Sequence, residues 1–300
     1  MQQYELVKMV AEAVNRNLGE GLLLSGGLDS SIIAVTAPKK PAAFTVTLED
    51  YGTDVKFAKL VAESLDMKLY IKKVTVDEAI QAIPEVIGVL KTFDPAIPND
   101  LATYFGLKLS SEHECKEIMT GDGCDELFAG YDYMHNMNLE EYTPKIVKSM
   151  RFNSNMLGNY LSLKVKQPFL DPEFIEFAIN IDPKLKVKEL DGITWGKWIL
   201  RESFKQQLPK EIVWRRKTPI EAGSGFTKLK EIIENQVADD ELNSSPIKLI
   251  SREHLYYYKI YMQEVGYIPE PRGNEKRCLY CGAGVPAYSR HCRTCGAYPT

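Results

Sequence analysis

Residues 22–31, Leu-Leu-Leu-Ser-Gly-Gly-Leu-Asp-Ser-Ser, combine two adjacent glycines with three hydroxyl side chains and one carboxylate. Gly26 and Gly27 allow the backbone to approach a ligand closely, and the first amides of a following helix present partial positive charge to an anion. Asp29 would repel phosphate unless a divalent cation lay between them, so the pattern predicts a site for a magnesium-bound nucleotide. There is no GxxxxGK[ST] motif, which excludes a Walker-type loop. The alternative is a plain strand–turn–helix junction in which Asp29 or Ser30 caps the helix.

A second group of acidic residues lies within residues 120–126, Thr-Gly-Asp-Gly-Cys-Asp-Glu. Glycines flank Asp122 directly after a predicted strand, and open parallel sheets bind ligands at the carboxyl ends of their strands. We therefore expect Asp122, Asp125 and Glu126 near the phosphate turn. Close carboxylates repel one another, which a shared metal ion or a raised pKa relieves. The alternative is an ordinary turn whose acids cap a helix.

Four of the six cysteines form two Cys-x2-Cys pairs near the end of the chain, and each pair is followed by glycine. Four thiolates without an open position suit a structural zinc ion, which would fold a segment too small for its own core. An iron–sulfur cluster is the alternative. The predicted zinc ligands are Cys278, Cys281, Cys292 and Cys295. His291 is surplus to such a site, and Cys115 and Cys124 are predicted to be buried core thiols.

The elements that position these residues alternate between strands and helices in the first half of the chain. Strands are predicted at 21–24, 42–48, 68–74 and 117–120, and helices at 3–18, 29–37, 53–65, 76–90, 100–111 and from about 125. Apolar strands between helices indicate an α/β fold with a parallel twisted sheet covered on both faces. From about 139 to 263 strand signals fade and helical patterns dominate. We predict a nucleotide core over 1–138, a helical part over 139–265, a linker over 266–276 and a zinc ribbon over 277–300.

Composition sets the class of protein. The chain has 300 residues, of which 44% are hydrophobic and 26% charged, which excludes collagen-like, coiled-coil and wholly disordered proteins. Its net charge of -4 argues against a surface built throughout for nucleic acid, although residues 271–300 hold five basic residues and one acidic residue. No signal-peptide pattern is present, and no apolar stretch approaches the roughly 18 residues of a membrane-spanning helix. We expect a cytoplasmic protein with no membrane association, in which clustered cysteines bind metal rather than form disulfides.

The SGGLDSS motif resembles the pyrophosphate-binding loop of the N-type ATP pyrophosphatases, and the chain as a whole resembles one branch of them, the synthetase domain of asparagine synthetase. Three further blocks carry the likeness in order: TGDGCDELFAGY at 120–131, KQPFLDPEF at 166–174, and the stretch from KWILRESF at 197 to RRKTPIEAGSGF ending at 226. The resemblance implies an adenine nucleotide alpha hydrolase-like fold of the HUP type. It also implies an ATP-dependent, AMP-forming carbon–nitrogen ligase of amino-acid biosynthesis.

The resemblance assigns roles to individual positions. Asp29 and Asp125 would hold magnesium on the pyrophosphate, and Lys217 would stabilise charge on the adenylate and the leaving pyrophosphate. Asp122 stands where glutamine-dependent relatives often carry glutamate at the reacting centre, and its shorter carboxylate reaches less far. The other expected ATP contacts are Leu23, Ser25, Gly26, Gly27, Ser30, Val46, Thr120 and Gly121. Lys197, in contrast, is predicted to lie on a helix surface, with a position facing the site as the alternative.

The implied reaction has two steps. A carboxylate, with aspartate as the first candidate, attacks the α-phosphorus of ATP and releases pyrophosphate, and ammonia or another amine then displaces AMP from the acyl-adenylate. Glutamine-dependent relatives take ammonia from an N-terminal glutaminase domain whose nucleophile is cysteine at position 2, whereas residue 2 here is Gln2 and the first strand begins near Gly21. That domain is therefore expected to be absent, so that free ammonia, a separate glutaminase subunit or a different amine supplies nitrogen.

The cysteine-rich tail suggests an alternative function. Related ATP pyrophosphatases that modify transfer RNA also carry zinc ribbons, and the basic tail permits contact with RNA or an acidic partner. The alternative is adenylation of a tRNA base for sulfur or nitrogen transfer, although the blocks from 166 onward resemble the asparagine synthetase branch. A ribbon that only docks subunits is a plainer possibility. A nucleotide-binding adaptor without catalysis would need to lose Asp29, Asp125 or Lys217, all of which are present.

Overall fold

The structure is a computed structural model that describes residues 2–300, apart from the side chain of Asp239. The chain divides into two compact units, each assembled from separated segments. Unit 1 comprises Met1–Val46, Thr53–Lys72 and Gly106–Pro219, and unit 2 comprises Thr47–Gly52, Lys73–Phe105 and Ile220–Thr300. The domain boundaries expected from the sequence stay a prediction.

Helices account for most of the regular structure. They are α1 (Gln2–Arg16), α2 (Leu28–Thr36), α3 (Asp54–Ser64), α4 (Val76–Leu90), α5 (Ile97–Glu112), α6 (Cys124–Phe128), α7 (Leu139–Ser149), α8 (Asn153–Tyr160), α9 (Pro172–Ile179), α10 (Trp198–Phe204), α11 (Lys210–Val213), α12 (Ile220–Gly223), α13 (Lys228–Glu234), α14 (Asp239–Asn243) and α15 (Arg252–Glu264). The strands are β1 (Gly21–Leu23), β2 (Ala42–Leu48), β3 (Leu69–Val74), β4 (Glu117–Met119), β5 (Lys164–Lys166), β6 (Val187–Leu190), β7 (Ile193–Gly196), β8 (Lys276–Arg277) and β9 (Gly284–Val285). No helix in the described part of the chain is both long enough and apolar enough to cross a bilayer.

The main sheet has five strands in the order β3-β2-β1-β4-β5. Strand β1 pairs in parallel with β2 and β4, in a register that sets Leu22 opposite Ala43 on one side and Met119 on the other. Strand β2 is buried along nearly its whole length, as expected where helices cover both faces. The α/β fold with a parallel sheet is therefore confirmed.

Strands also occur where the sequence was expected to be helical. Strand β5 pairs in parallel with β4, and its three residues, two of them lysines, offer no apolar run to detect. Strands β6 and β7 form an antiparallel hairpin whose turn residues Asp191 and Gly192 both have positive φ, at 53° and 74°. Asp-Gly favours such a turn, so the sequence itself holds a local signal for this hairpin.

The core of unit 1 lies between the sheet and helices α1, α2, α6, α9 and α10. Its side chains are apolar and almost wholly inaccessible, and include Leu6, Val10, Leu22, Ile32, Phe128, Phe174, Leu200 and Phe204. Cys115 and Cys124 are 8% and 0% exposed, which confirms that they are buried thiols. This core fixes the carboxyl ends of β1 and β4, from which the glycine-rich turns leave.

Unit 2 has a helical core of its own, in which α4 packs against α15. Helix α4 begins with a capping box formed by Thr75 and Glu78. Beyond its end, the buried ring of Phe93 packs edge-on against Tyr261 of α15, with centroids 4.9 Å apart. The short antiparallel pair β8–β9 also belongs to this unit.

Candidate active site and metal centre

The first glycine-rich turn joins β1 to α2. Gly26 has a φ of 65°, and a Cβ on it would lie 2.3 Å from the backbone of Phe57, so only glycine fits there. Inside the turn, Ser31 Oγ donates to the carbonyl of Gly27 at 2.7 Å, and the amide of Gly27 donates to Ser25 Oγ at 3.2 Å. The turn is thus held in one shape, with the amino end of α2 directly after it.

Two carboxylates meet beside this turn around one lysine. Lys197 Nζ lies 2.7 and 2.6 Å from the two oxygens of Asp29 and 2.6 Å from Asp125 Oδ1. Lys217 Nζ binds the other oxygen of Asp125 at 2.6 Å. A Cβ on Gly130 would lie 1.8 Å from Asp125 Oδ1, so the glycine leaves the room that this cluster needs. The structure therefore brings Asp29, Asp125 and Lys217 together, as the sequence predicts.

The prediction that Lys197 lies on a helix surface is wrong. The residue is 3% exposed, adopts a left-handed φ of 57° just before α10, and donates its amide to the carbonyl of Phe128 at 2.9 Å. Burial lowers the pKa of Lys197, but the carboxylates of Asp125 and Asp29 outweigh it and hold the pKa above its ordinary value. Burial likewise raises the pKa of Asp125, and the two lysines more than reverse that rise. Lys197 and Asp125 are therefore both held charged.

Lys217 is positioned by two buried arginines. Arg201 of α10 donates to the carbonyl of Arg215 at 3.1 Å and also to that of Val213, which fixes the backbone just before Lys217. Arg215 in turn donates to the carbonyl of Ser25 at 3.1 Å and forms an ion pair with Asp54. The segment that contains Lys217 is therefore linked to the phosphate turn by the hydrogen bond from Arg215 to Ser25.

The second glycine-rich turn, after β4, lies directly against the first. A Cβ on Gly121 would lie 3.0 Å from the Cβ of Asp29 and 3.4 Å from the amide of Ser30. Asp122 Oδ2 accepts a hydrogen bond from Thr120 Oγ1 at 2.7 Å. It also accepts hydrogen bonds from Ser154 and Gln167, which lie much later in the sequence. Thr120, Gly121 and Asp122 thus lie beside the phosphate turn.

Glu126 and Tyr131 form another part of this region. Tyr131 donates to Glu126 Oε1 at 3.4 Å, and Lys217 Nζ lies 5.4 Å from the centre of the Tyr131 ring. Burial, together with the charge of Asp125, raises the pKa of Glu126 to about 7. Both residues belong to the motif at 120–131, but only Glu126 was expected near the turn.

The two residues expected around adenosine lie on neighbouring strands. Leu23 is the last residue of β1 and pairs with Phe44 of β2. Val46 lies two residues beyond Phe44 on the same strand. Val46 is buried, whereas Leu23 is half-buried against Gly106 of α5. Their positions fit an apolar wall at the carboxyl end of the sheet.

The carboxylate cluster suits a divalent cation. Asp29 and Asp125 both contact one cation, the ammonium of Lys197. Carboxylate oxygens are the ligands that magnesium prefers. The residues present therefore fit the metal that a nucleotide would bring.

In unit 2, all four predicted cysteine ligands converge. Their sulfurs lie within 4.8 Å of one another and are buried, and the pairs Cys278–Cys295 and Cys281–Cys292 are 3.7 and 3.8 Å apart. A tetrahedral ion with metal–sulfur bonds of about 2.3 Å needs sulfurs about 3.8 Å apart. The four cysteines thus have the spacing that a metal ion with four sulfur ligands requires.

Each cysteine pair ends in the same tight turn. The amide of Gly282 donates to the carbonyl of Cys278 at 3.0 Å, and the amide of Gly296 donates to that of Cys292 at 2.8 Å. Both glycines have positive φ, which explains their place directly after each pair. His291 lies outside the cluster and contacts Asp94 Oδ2 at 3.1 Å, in agreement with its omission from the predicted ligands.

The cysteine segment is packed onto the segment after α4. The carbonyl of Thr294 accepts from the amide of Phe93 at 2.8 Å and from Thr92 Oγ1 at 3.3 Å. A Cβ on Gly296 would lie 2.6 Å from the carboxylate of Asp94. The metal site is therefore built into the fold of unit 2.

Comparisons with known protein sequences agree on one family. The sequence model of the asparagine synthase family matches residues 3–161 and 152–263. A probable glutamine-hydrolyzing asparagine synthetase from Dictyostelium discoideum is 33% identical over 258 residues, which cover 74% of this chain and 46% of that protein. The glutamine-hydrolyzing asparagine synthetase from Zea mays is 28% identical over 291 residues, which cover 86% of this chain and 50% of that protein. The chain thus spans about half the length of these curated relatives.

Among solved structures, a predicted subunit of tRNA methyltransferase from Methanocaldococcus jannaschii is 16% identical. The match covers 66% of this chain and 92% of that chain with a TM-score of 0.31. A likeness this weak carries no argument about function.

Proposed function

The chain belongs to the asparagine synthase family, and from that premise we propose that it is an ATP-dependent, AMP-forming ligase that joins a carboxylate to an amine. One observation carries the proposal: Asp29, Asp125, Lys197 and Lys217 converge beside the glycine-rich turn at the carboxyl end of the sheet. Open parallel sheets bind nucleotides at this place. Membership of the family and the geometry thus support the same chemistry.

ATP would bind with its phosphates at the SGGLDSS turn. The amides at the start of α2 and the hydroxyls of Ser25 and Ser30 are donors suited to phosphate oxygens. Leu23 and Val46 would contact adenosine, and Thr120 and Gly121 would line the AMP part. Asp29 and Asp125 would hold Mg2+, which supplies positive charge against the phosphate oxygens.

In the first step an oxygen of the carboxylate substrate bonds to the α-phosphorus of ATP, and the bond from that phosphorus to the bridging oxygen breaks. Pyrophosphate leaves with the electron pair. The side chain of Lys217 is 30% exposed, and hydrogen bonds from Arg201 fix the backbone just before it. Lys217 is therefore suited to stabilise the charge that develops on the phosphates. Buried Lys197 would keep Asp29 and Asp125 in place.

In the second step the nitrogen of an amine bonds to the acyl carbon, and AMP leaves. Aspartate and ammonia are the first substrates to test, because the names of the relatives describe asparagine synthetases that hydrolyse glutamine. The nitrogen would come from free ammonia, from ammonia made by a separate glutaminase subunit, or from a different amine.

A screen of pyrophosphate release tests the proposal. ATP and magnesium are supplied with each of a panel of carboxylates, with and without ammonium or glutamine, and products are identified by amino-acid analysis. Asparagine formed from aspartate is the expected result. Pyrophosphate release with none of the carboxylates would contradict the ligase proposal, and release without asparagine would contradict only aspartate as the substrate.

We further propose that the four-cysteine site holds structural zinc, because four buried sulfurs at tetrahedral spacing leave no open position for substrate. Metal analysis of the purified protein should give one zinc per chain. Iron with a visible cluster absorption would favour the alternative instead.

The tRNA alternative receives less support. Two cations of the basic tail are already engaged, Lys276 with the carbonyl of Thr300 at 2.6 Å and Arg277 with Glu270. RNA that copurifies with the protein, and that is lost when Arg272 and Arg290 are replaced by alanine, would favour this alternative. We expect none.

A further inference from the structure

One oxygen of Asp122 receives an unusual number of hydrogen bonds. Its Oδ2 accepts from Thr120 Oγ1 at 2.7 Å, from Ser154 Oγ at 2.6 Å and from Gln167 Nε2 at 2.8 Å. A carboxylate oxygen has two lone pairs, so three donors use all of its accepting capacity. Because none of these donors goes to Oδ1, that oxygen is left to meet a ligand.

We propose that Ser154 and Gln167 are positioning residues, which hold Asp122 so that Oδ1 receives an N–H of the incoming amine. The proposal rests on the proposed function, since it concerns the second step of that reaction.

Further hydrogen bonds fix the positions of Gln167 and Ser154, the two residues that hold Asp122. Gln167 Oε1 accepts from Asn155 Nδ2 at 2.9 Å, which orients the amide so that Nε2 points to Asp122. Ser154 is 5% exposed at the start of α8, and its Oγ also lies 3.3 Å from Gln167 Nε2. Helix α8 and the residue after β5 therefore both contact one carboxylate oxygen, which lies 32 and 45 residues before Ser154 and Gln167 in the sequence.

The held carboxylate lies next to the phosphate-binding turn. The preceding residue, Gly121, is in contact with Asp29 and Ser30, and Asp122 itself is half-buried rather than enclosed. A group bonded to the α-phosphate of ATP would be close to this turn. Oδ1 can therefore meet an amine that approaches the acyl carbon.

The chemistry of the step balances. The lone pair of the amine nitrogen forms the new carbon–nitrogen bond, and the bond from the acyl carbon to the phosphate oxygen breaks, with AMP taking its electron pair. One proton leaves the nitrogen and passes to Asp122 Oδ1. Because the oxygen is held in place, less conformational freedom is lost when the reactive geometry forms. A displacement of about 1 Å at such a group can cost up to 100-fold in rate.

The test separates the two steps of the reaction. Exchange of labelled pyrophosphate into ATP, with L-aspartate or the carboxylate found by the screen and without amine, reports adenylation alone. Amide formation is then followed against ammonium concentration. The variants Ser154→Ala and Gln167→Leu each remove one donor to Asp122. We expect exchange within about twofold of wild type, a kcat for amide formation about tenfold lower and a raised KM for ammonium.

Matched variants keep the result specific. Ser154→Thr retains the hydroxyl and should recover most of the amide-forming rate. Ser64→Ala removes an exposed hydroxyl that donates to the carbonyl of Val61, and should leave both steps unchanged.

Two results would overturn the inference. Either both steps are unchanged in Ser154→Ala and Gln167→Leu, or both fall by the same factor with an unchanged KM for ammonium, as a purely structural role would give. A wild-type protein without pyrophosphate exchange for any carboxylate overturns the proposed function itself, and this inference with it.

Discussion

Lys197 Nζ lies within hydrogen-bond distance of both carboxylate oxygens of Asp29, at 2.7 and 2.6 Å. The two residues are 168 positions apart in sequence, and the lysine is almost wholly buried. The ammonium of this lysine supplies positive charge to Asp29 and Asp125 together. Its removal should therefore affect stability and magnesium binding together.

The variant Lys197→Met tests this relationship. It leaves Asp29 and Asp125 without their shared cation, and removal of one partner from a buried ion pair typically lowers the free energy of unfolding by about 3–5 kcal/mol. Urea unfolding with and without magnesium measures the effect, and millimolar magnesium should restore part of the loss. Lys205→Met, which removes a lysine 43% exposed, is the matched control and should stay within about 0.5 kcal/mol of wild type. A Lys197→Met protein as stable as the control would contradict the role of the lysine.

The proposed phosphate chemistry predicts large losses of activity at two positions. Asp29→Ala and Lys217→Ala should each lower pyrophosphate release about 100-fold or more, because each removes a charge aimed at the reacting phosphates. Circular dichroism shows whether the variants are folded. Lys8→Ala, at a lysine 65% exposed on α1, should retain full activity. Full turnover by either site variant would exclude it from the site.

The raised pKa of Glu126 predicts a dependence of stability on pH. Burial favours the neutral acid in the folded protein and raises its pKa from 4.5 to about 7. Between these values the folded state binds a proton that the unfolded state has lost, so this residue lowers stability as the pH rises.

Glu126→Gln should therefore be more stable than wild type at pH 8, by up to about 3 kcal/mol, and nearly equal to it at pH 5. Thermal unfolding at the two pH values, without added magnesium, gives the comparison. Glu12→Gln, on the surface of α1, should show no such difference. An equal effect of Glu126→Gln at both pH values would show that charge is not its cause.

Removal of the metal should loosen unit 2 at a defined place. The amide of Phe93 donates to the carbonyl of Thr294, which lies between two of the predicted ligands. Treatment with a chelator, or Cys292→Ser, should speed hydrogen exchange at Phe93 by at least tenfold, because ordering of this segment depends on the bound ion. The amide of Leu24, which donates to Phe44 within unit 1, serves as the internal reference. Equal exchange at Phe93 with and without metal would contradict the coupling.

Sequence could predict the parts of the fold that depend on local pattern. The bounds of β2 and α4 agree with the prediction, because each is a continuous or periodic apolar stretch ended by polar residues. The two glycine-rich turns and the four cysteines carry their chemistry within a few residues of one another. For this reason their grouping could be inferred before the structure.

The remaining features of the site arise from contacts across long stretches of chain. Lys197 looks like any lysine near a helix, and only its distance to Asp29 reveals its burial. Ser154 and Gln167 belong to no motif of their own, and their common partner Asp122 lies 32 and 45 residues away. Strand β5 is too short and too rich in lysine to give a periodic signal.

The bond between Thr92 and Thr294 joins residues 202 positions apart. A ribosome adds about 5–20 residues per second, so roughly 10–40 s separate the synthesis of the two partners. During that interval the nascent polypeptide already holds Phe93 and the apolar face of α4, yet their covering segments have not been made. Unit 2 therefore cannot complete its folding before its last segment, Ile220–Thr300, has been synthesised, and until then this apolar surface is a natural target for chaperones.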